Sequence, residues 1–341
     1  PDLSFIRAAS RSLSSFLKRG QLVILQSTTY PGTTEEIVQP ILEESGLKAG
    51  LDFYLAFSPE RIDPGNPQWH YDNTPKVVGG LTPESTRVAA SLLSKVNPDV
   101  HTVSSTRVAE MCKLLENIFR SVNIALVNEL ALLTERMGID IWEVIEAART
   151  KPFGFLPFYP GPGVGGHCIP VDPYYLSWKA REFDFYTKFI ELAAETNQRM
   201  PYHTVERTAQ ALSRRGMGLR GARVMLIGAS FKPDVEDARN SPAERVAELL
   251  LARGAEVSYH DPYVECFDIR PNAFFKGHRL LASIPLSPET LAAHDCVVIL
   301  VKHRSVDYQL VLEHALLIVD TVNAIGDRPD AAEKLVRLGV G

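Results

Sequence analysis

Long hydrophobic runs are missing: no apolar stretch in these 341 residues approaches the length of a membrane-spanning helix, and no signal peptide is expected. An excess of one charge is missing too. The chain has 36 Lys and Arg against 41 Asp and Glu, a net charge of −5, so neither nucleic acid nor an anionic membrane is expected as a partner. Cysteine is scarce, with only Cys112, Cys168, Cys266 and Cys296, and no pair has metal-ligand spacing. That scarcity favours reduced thiols in a cytoplasmic protein and argues against a bound metal. There is no solenoid-period repeat and no low-complexity segment. What remains is an ordinary globular composition, 45% hydrophobic, long enough for two or three domains.

One stretch has a composition that fits neither helix nor strand. Residues 158–173 hold glycines 161, 163, 165 and 166, prolines 160, 162, 170 and 173, and the side chains His167, Cys168 and Asp172. Gly and Pro at this density specify a rigid loop. A loop built around one thiol points to a nucleophile. Gly161-x-Gly163-x-x-Gly166 also satisfies the dinucleotide-binding expression, but no strand precedes it and Ile169-Pro-Val-Asp-Pro173 prevents a helix from opening at the glycines. Cys112, Cys266 and Cys296 lie in helical, apolar or strand contexts and read as small buried hydrophobes.

Residues 160–173 resemble the cysteine loop of the nucleotide-sugar 6-dehydrogenases, the UDP-glucose/GDP-mannose dehydrogenase family. The flanks 150–163 and 173–182 are most similar to its bacterial UDP-N-acetylglucosamine branch, and the likeness runs from near residue 1 to about residue 325. The resemblance implies NAD as cofactor, a UDP-sugar as substrate, a homodimer and a cytoplasmic enzyme.

Taken in order, residues 21–27 form a buried strand feeding a loop, and Thr33 with Glu36 predicts a capping box for a helix to about residue 44. Strands follow at 51–58, 76–80 and 100–104, with Thr82-Pro83 starting a helix between the last two. The alternation describes a parallel α/β sheet. A long helix is predicted over 106–136, with Val108, Met111, Cys112, Leu115, Ile118, Phe119 and Val122 as its buried stripe. Gly138 ends it and Asp140 caps the next helix. Helices at 186–199 and 202–215 lead to a second α/β unit with strands at 223–230, 256–260, 296–301 and 316–320, and a helix begun by Ser241-Pro242 and closed by Gly254. The fold class is therefore α/β: two doubly wound, Rossmann-like domains joined by a long central helix. The expected division is 1–104, a remnant of an NAD-binding domain; 105–215, a helical dimerisation domain with the cysteine loop; and 216–341, a UDP-sugar-binding domain. Nothing before residue 21 reads as a first strand with a glycine fingerprint, and the first residue is proline. By the resemblance, roughly a hundred N-terminal residues of the family are expected to be absent, which leaves the NAD site incomplete and this chain poorly active.

Cys168 would attack an aldehyde carbon as its thiolate. Lys113 and Asn117, at i and i+4 on one helix face, read by spacing alone as a solvated polar face. The resemblance makes them the donors that stabilise the oxyanion. Asp172 accepts the alcohol proton, or is a turn aspartate bonded to its own backbone. Glu60, just past a strand end, is the candidate base for the hydrolytic water, and Thr28 orients that water or contacts nicotinamide with Ser27. His167 adjoins the nucleophile and is not expected to face it. The resemblance assigns substrate contacts to Arg61, Tyr159, Gly163, Gly165, Phe231 and Lys232, and a cofactor contact to Arg239. His260-Asp261 mimics the ribose-binding acid of a dinucleotide site.

Two departures from the family bear on the substrate. Pro64 stands where the UDP-glucose branch has glutamate, which favours an N-acetylhexosamine. Val322 stands where the family often has a substrate-contacting arginine, with Arg304 or Arg328 as candidates to replace it. The reading is an NAD-dependent, four-electron oxidation of UDP-N-acetylglucosamine at C6 to the uronic acid. The alternatives are oxidation of UDP-N-acetylmannosamine or UDP-glucose, a non-catalytic UDP-sugar-binding relative, and a two-electron cysteine aldehyde dehydrogenase.

Overall fold

The computed structural model describes residues 1–341 except Pro64 and Phe274, so the departure at Pro64 lies outside the described residues. The chain forms two compact units, Pro1–Arg120 with Val171–Ile190, and Ser121–Pro170 with Glu191–Gly341.

The first unit opens with α1 (Ser4–Ser14) and is built on a four-stranded sheet in the order β1 (Leu22–Leu25), β2 (Tyr54–Phe57), β3 (Lys76–Gly80), β4 (Val100–Thr102). β1 and β2 are parallel, as are β3 and β4, but β2 and β3 run antiparallel, with Ala56 opposite Gly80 and Phe57 opposite Gly79. This corrects the parallel expectation. Among the described residues of 58–75 there is no helix to carry the chain back across the sheet, so it returns in the opposite sense. The capping box at Thr33 is also absent. A π-type turn (Thr34–Val38) runs into α2 (Gln39–Glu43), the Thr33 hydroxyl bonds Thr29 Oγ1 and the Tyr30 carbonyl, and Glu36 pairs with Lys179. These tertiary partners outcompete the local cap. α3 (Pro83–Leu93) starts as predicted, with Thr82 Oγ1 accepting from Ser85 N. Val38, Leu42, Phe53 and Leu55 form one core cluster and Ala56, Val78, Ala89 and Leu93 another.

α4 runs from Thr106 to Met137. Its burial reverses the predicted stripe. Val108, Met111, Leu115 and Phe119 are exposed, and the exposed apolar row continues through Leu126, Leu130, Leu133 and Met137. The buried face instead carries Ala109, Glu110, Lys113, Leu114, Asn117, Ser121, Ala125 and Asn128. Spacing finds an apolar face but not what covers it. Gly138, at φ +70°, ends α4, and Asp140 caps α5 (Ile141–Arg149) by accepting from Trp142 N. After α6 (Asp172–Ala180), the two helices predicted around residue 200 are one, α7 (Lys188–Ser213), with Pro201 inside it. Proline removes one helical hydrogen bond, but the fully buried neighbours Met200, Thr204, Val205, Thr208 and Leu212 hold the helix through it.

The second unit contains β5 (Arg223–Ile227), α8 (Pro242–Ala252), β6 (Glu256–His260), a hairpin of β7 (Cys266–Ile269) and β8 (Arg279–Ala282), α9 (Pro288–Ala292), β9 (Cys296–Ile299), α10 (Tyr308–His314), β10 (Ile318–Asp320) and β11 (Leu335–Arg337). Its five-stranded sheet is parallel throughout, in the order β11-β10-β9-β5-β6. The order reverses between β5 and β9, which sets a switch-point crevice at their carboxyl ends. Core clusters that include Val224, Leu226, Val246 and Val298, and Met225, Ile227, Val297 and Ile318, bury the sheet. Among the described residues no helix is long and apolar enough to cross a membrane, and no group of three or more His, Cys, Asp or Glu is arranged to hold a metal.

Candidate active site

In the first unit, one helical turn of α4 presents Lys113 and Asn117, both buried, so the solvated-face reading fails. Asp172 begins α6 and is 4% exposed. Its carboxylate accepts from Asn117 Nδ2 at 2.6 Å, which replaces the local backbone turn anticipated as its alternative. Burial pushes the Asp172 carboxyl up from 3.8 to about 6, although the Asn117 hydrogen bond and the Lys113 charge pull it down. A carboxylate that titrates near neutrality beside an amide donor and an ammonium is equipped to take and return a proton.

Ser27 and Thr28 leave the carboxyl end of β1, Ser27 exposed and Thr28 half-buried. The loop behind them is fastened by Glu110, fully buried on α4, which accepts from Gly32 N, Thr34 N and Thr34 Oγ1. Glu60 follows β2. Its Oε1 accepts from the backbone N–H groups of Arg61 and Ile62, and its carboxylate pairs with Lys76, whose side chain is 1% exposed. Arg61, anticipated as a substrate contact, has its guanidinium on Glu116 at 2.8 Å and on the Pro75 carbonyl at 2.7 Å.

In the second unit the cysteine loop is held along its length. Asn128 Oδ1 accepts from Gly161 N, and Tyr159 donates to Glu146 while stacking on Trp142. The glycines then admit close packing. A Cβ on Gly163 would lie 3.2 Å from Pro242, and one on Gly165 would lie 2.8 Å from both the Asn240 carbonyl and Pro242 Cδ. Gly166, at φ +89°, lies against the Phe231 ring. Gly165→Ala is therefore expected to cost about 1–3 kcal/mol through overpacking, read as a fall in melting temperature; an unchanged melting curve would refute this packing. His167 points its Nε2 to Asp237 at 2.9 Å. Cys168 is exposed. By contrast, burial drives the Cys296 thiol up to about 12 and raises that of half-buried Cys112, while Cys266 is exposed on its hairpin rather than buried as expected.

The loop docks on the segment leaving β5, which carries Phe231 and Lys232, both half-buried at the switch point. Asp261 braces that segment. Its enclosed carboxylate accepts from Ala229 N, Ser230 N, Tyr263 N and Val264 N and pairs with His303 at 3.1 Å. Although burial pushes Asp261 up, these donors bring it down to about 2. All its acceptor capacity is used, so the ribose-binding reading of this residue fails. Arg239 closes on Asp237 through two nitrogens. Val322 is half-buried against a core cluster, and the proposed replacements are paired elsewhere, Arg304 with Asp234 and Arg328 with Asp330. Sequence reading missed Lys76, Glu110, Asn128 and His303. The lone lysine opening the otherwise apolar run Lys76-Val-Val-Gly-Gly80 was the one available signal.

Residues 1–97, 107–199 and 225–327 match the NAD-binding, central and UDP-binding domains of the UDP-glucose/GDP-mannose dehydrogenase family. The chain belongs to this family. The first of these matches begins at residue 1, so the expectation of a missing N-terminal hundred residues finds no support in it. The UDP-N-acetyl-D-glucosamine 6-dehydrogenase of Pseudomonas aeruginosa is 42% identical over 270 residues, 79% of this chain and 64% of that protein. The enzyme of the same name from Salmonella typhi is 35% identical, over 89% of this chain and 70% of its own length. The chain thus spans less than two thirds of the first of these relatives. Among solved structures, the UDP-D-ManNAc dehydrogenase of Pyrococcus horikoshii superposes with a TM-score of 0.86 at 32% identity, over 99% of this chain and 77% of that one.

Proposed function

We propose that the protein is an NAD-dependent dehydrogenase that oxidises C6 of a UDP-N-acetylhexosamine, with UDP-N-acetylglucosamine as the preferred sugar, to the uronic acid. The observation that carries this reading is the buried Asp172, bonded to Asn117, near Lys113 and four residues after the exposed thiol of Cys168. The relatives named for UDP-N-acetylglucosamine and UDP-D-ManNAc support the substrate class. The division into residues 1–104, 105–215 and 216–341 belongs to the same proposal. So do a cytoplasmic location and a homodimer, the latter supported by the exposed apolar row of α4.

Ser27 and Thr28 suit the ring end of NAD, being small hydroxyl side chains at the carboxyl edge of a parallel strand. Bound there, NAD supplies the electron acceptor for both oxidations. Asp172 takes the C6 hydroxyl proton in the first oxidation. Cys168 Sγ then adds to the aldehyde carbon. The oxygen that becomes negative is stabilised by the Lys113 ammonium and by the Asn117 N–H that Asp172 does not use. The second oxidation leaves a thioester on Cys168, and Glu60 takes a proton from the water that cleaves it. Phe231 and Lys232 hold the UDP portion, with Tyr159, Gly163 and Gly165 shaping the loop against the sugar. Arg61 acts by fixing its own segment, and Arg239 contacts the cofactor after release from Asp237.

A second reading, a UDP-sugar binder without turnover, is favoured by one observation: Val322 is half-buried against a core cluster and neither Arg304 nor Arg328 is unpaired. Calorimetric titration with UDP-N-acetylglucosamine, UDP-N-acetylmannosamine and UDP-glucose, followed by NADH formation with each, separates the readings. The expected result is tightest binding of an N-acetylhexosamine nucleotide, lost at least tenfold in Lys232→Ala, with two NADH formed per acid. Binding without NADH supports the binder; binding of none of the three removes both.

A further inference from the structure

We propose that Lys76 is a positioning residue for the hydrolytic half of the reaction, holding the Glu60 carboxylate so that one oxygen is presented to the attacking water. This rests on the reading of Glu60 as the base. The antiparallel course of β3 puts its first residue beside the segment that leaves β2. Lys76 is there 1% exposed, with Nζ 3.3 Å from each oxygen of Glu60 and 3.7 Å from the centre of the Tyr71 ring. A buried ammonium is costly unless a carboxylate and a π face compensate it. An apolar residue would serve the sheet as well, since Val77 and Val78, which follow in the same strand, are buried and apolar.

The two Glu60 oxygens are not equivalent. Oε1 accepts from Arg61 N at 2.7 Å and Ile62 N at 2.9 Å as well as from Lys76. Oε2 accepts, among the described residues, from Lys76 only. The backbone pair anchors one oxygen, and Lys76, by touching both, fixes the rotation of the carboxylate and leaves Oε2 with lone-pair capacity for a water. In the step so assisted, the water oxygen bonds the acyl carbon and its proton passes to Oε2. The C–S bond then breaks and Cys168 leaves as thiolate, with no change in oxidation state.

The test needs no dinucleotide. p-Nitrophenyl acetate acetylates the Cys168 thiolate with loss of p-nitrophenolate, and mass spectrometry follows hydrolysis of the acetyl group. Lys76→Met is expected to be acetylated at the parent rate but to lose the acetyl group roughly 10- to 100-fold more slowly. Glu60→Gln should be at least as slow, and Lys76→Arg should recover most of the parent rate. Parent-like deacetylation in Lys76→Met with a slow Glu60→Gln overturns the role of Lys76 and leaves Glu60 as base. Parent-like rates in both remove the base assignment and the inference with it. Slowed acetylation in Lys76→Met without rescue by Arg makes Lys76 structural only. A parent chain not acetylated at Cys168 removes the nucleophile on which the step depends.

Discussion

Replacing Cys168 by serine is expected to abolish uronic acid formation, with a loss on the order of 10³-fold or more, while UDP-sugar binding stays near the parent value. A hydroxyl ionises far less readily than a thiol, and the neighbouring His167 is engaged by Asp237. In the proposed mechanism the first oxidation does not use the thiol, because the alcohol proton is assigned to Asp172. The variant is therefore expected to stop at the aldehyde, which a hydrazine reagent traps with one NADH per trapped carbonyl. Acid formation by the variant would remove Cys168 from the reaction. Binding survives because the proposed contacts, Phe231 and Lys232, belong to the segment after β5, which Asp261 holds independently of the thiol.

The cysteine loop was legible because its constraint is local: glycines at 163, 165 and 166 are needed where the backbone meets Phe231, Asn240 and Pro242. β5, β9 and β10 of the second unit were legible for a similar reason, as short apolar runs buried on both faces, and β6 was also anticipated, whereas β7, β8 and β11 were not. Features decided by what covers a surface were not legible. The row through Val108, Leu115 and Phe119 has core spacing and is exposed, while the polar Lys113 and Asn117 are buried. The sense of β3 depends on the loop before it, and with that sense comes the meeting of Lys76 and Glu60. Pro201 reads as a break, yet buried neighbours carry the helix through it. Thr33 and Glu36 match a capping box in type and spacing, but Tyr30 and Lys179 claim them.

Asp172→Asn is expected to gain stability at neutral pH and to lose activity, and the two effects share a cause. Burial holds the Asp172 carboxyl at about 6, against 3.8 for a free aspartate. Below about pH 4 both the folded and the unfolded chain keep this proton. Between about 4 and 6 the unfolded chain has released it and the folded chain has not, so rising pH lowers stability across that window by about 3 kcal/mol in all. Above pH 6 the deficit is constant. Asparagine carries no charge to bury and its carbonyl can still accept from Asn117. The variant should therefore exceed the parent by roughly 2–3 kcal/mol at pH 7.5 and converge with it near pH 4, as read from urea denaturation at both values. Loss of the proton acceptor should cost about 10²- to 10⁴-fold in the first oxidation, and the parent rate should rise with pH through a limb near 6. A variant less stable than the parent at pH 7.5, or one whose stability gain does not shrink toward pH 4, would show that the Lys113 and Asn117 contacts outweigh the cost of burying the carboxylate. Asp172 would then be a structural ion-pair partner, not a base kept near neutrality for proton transfer.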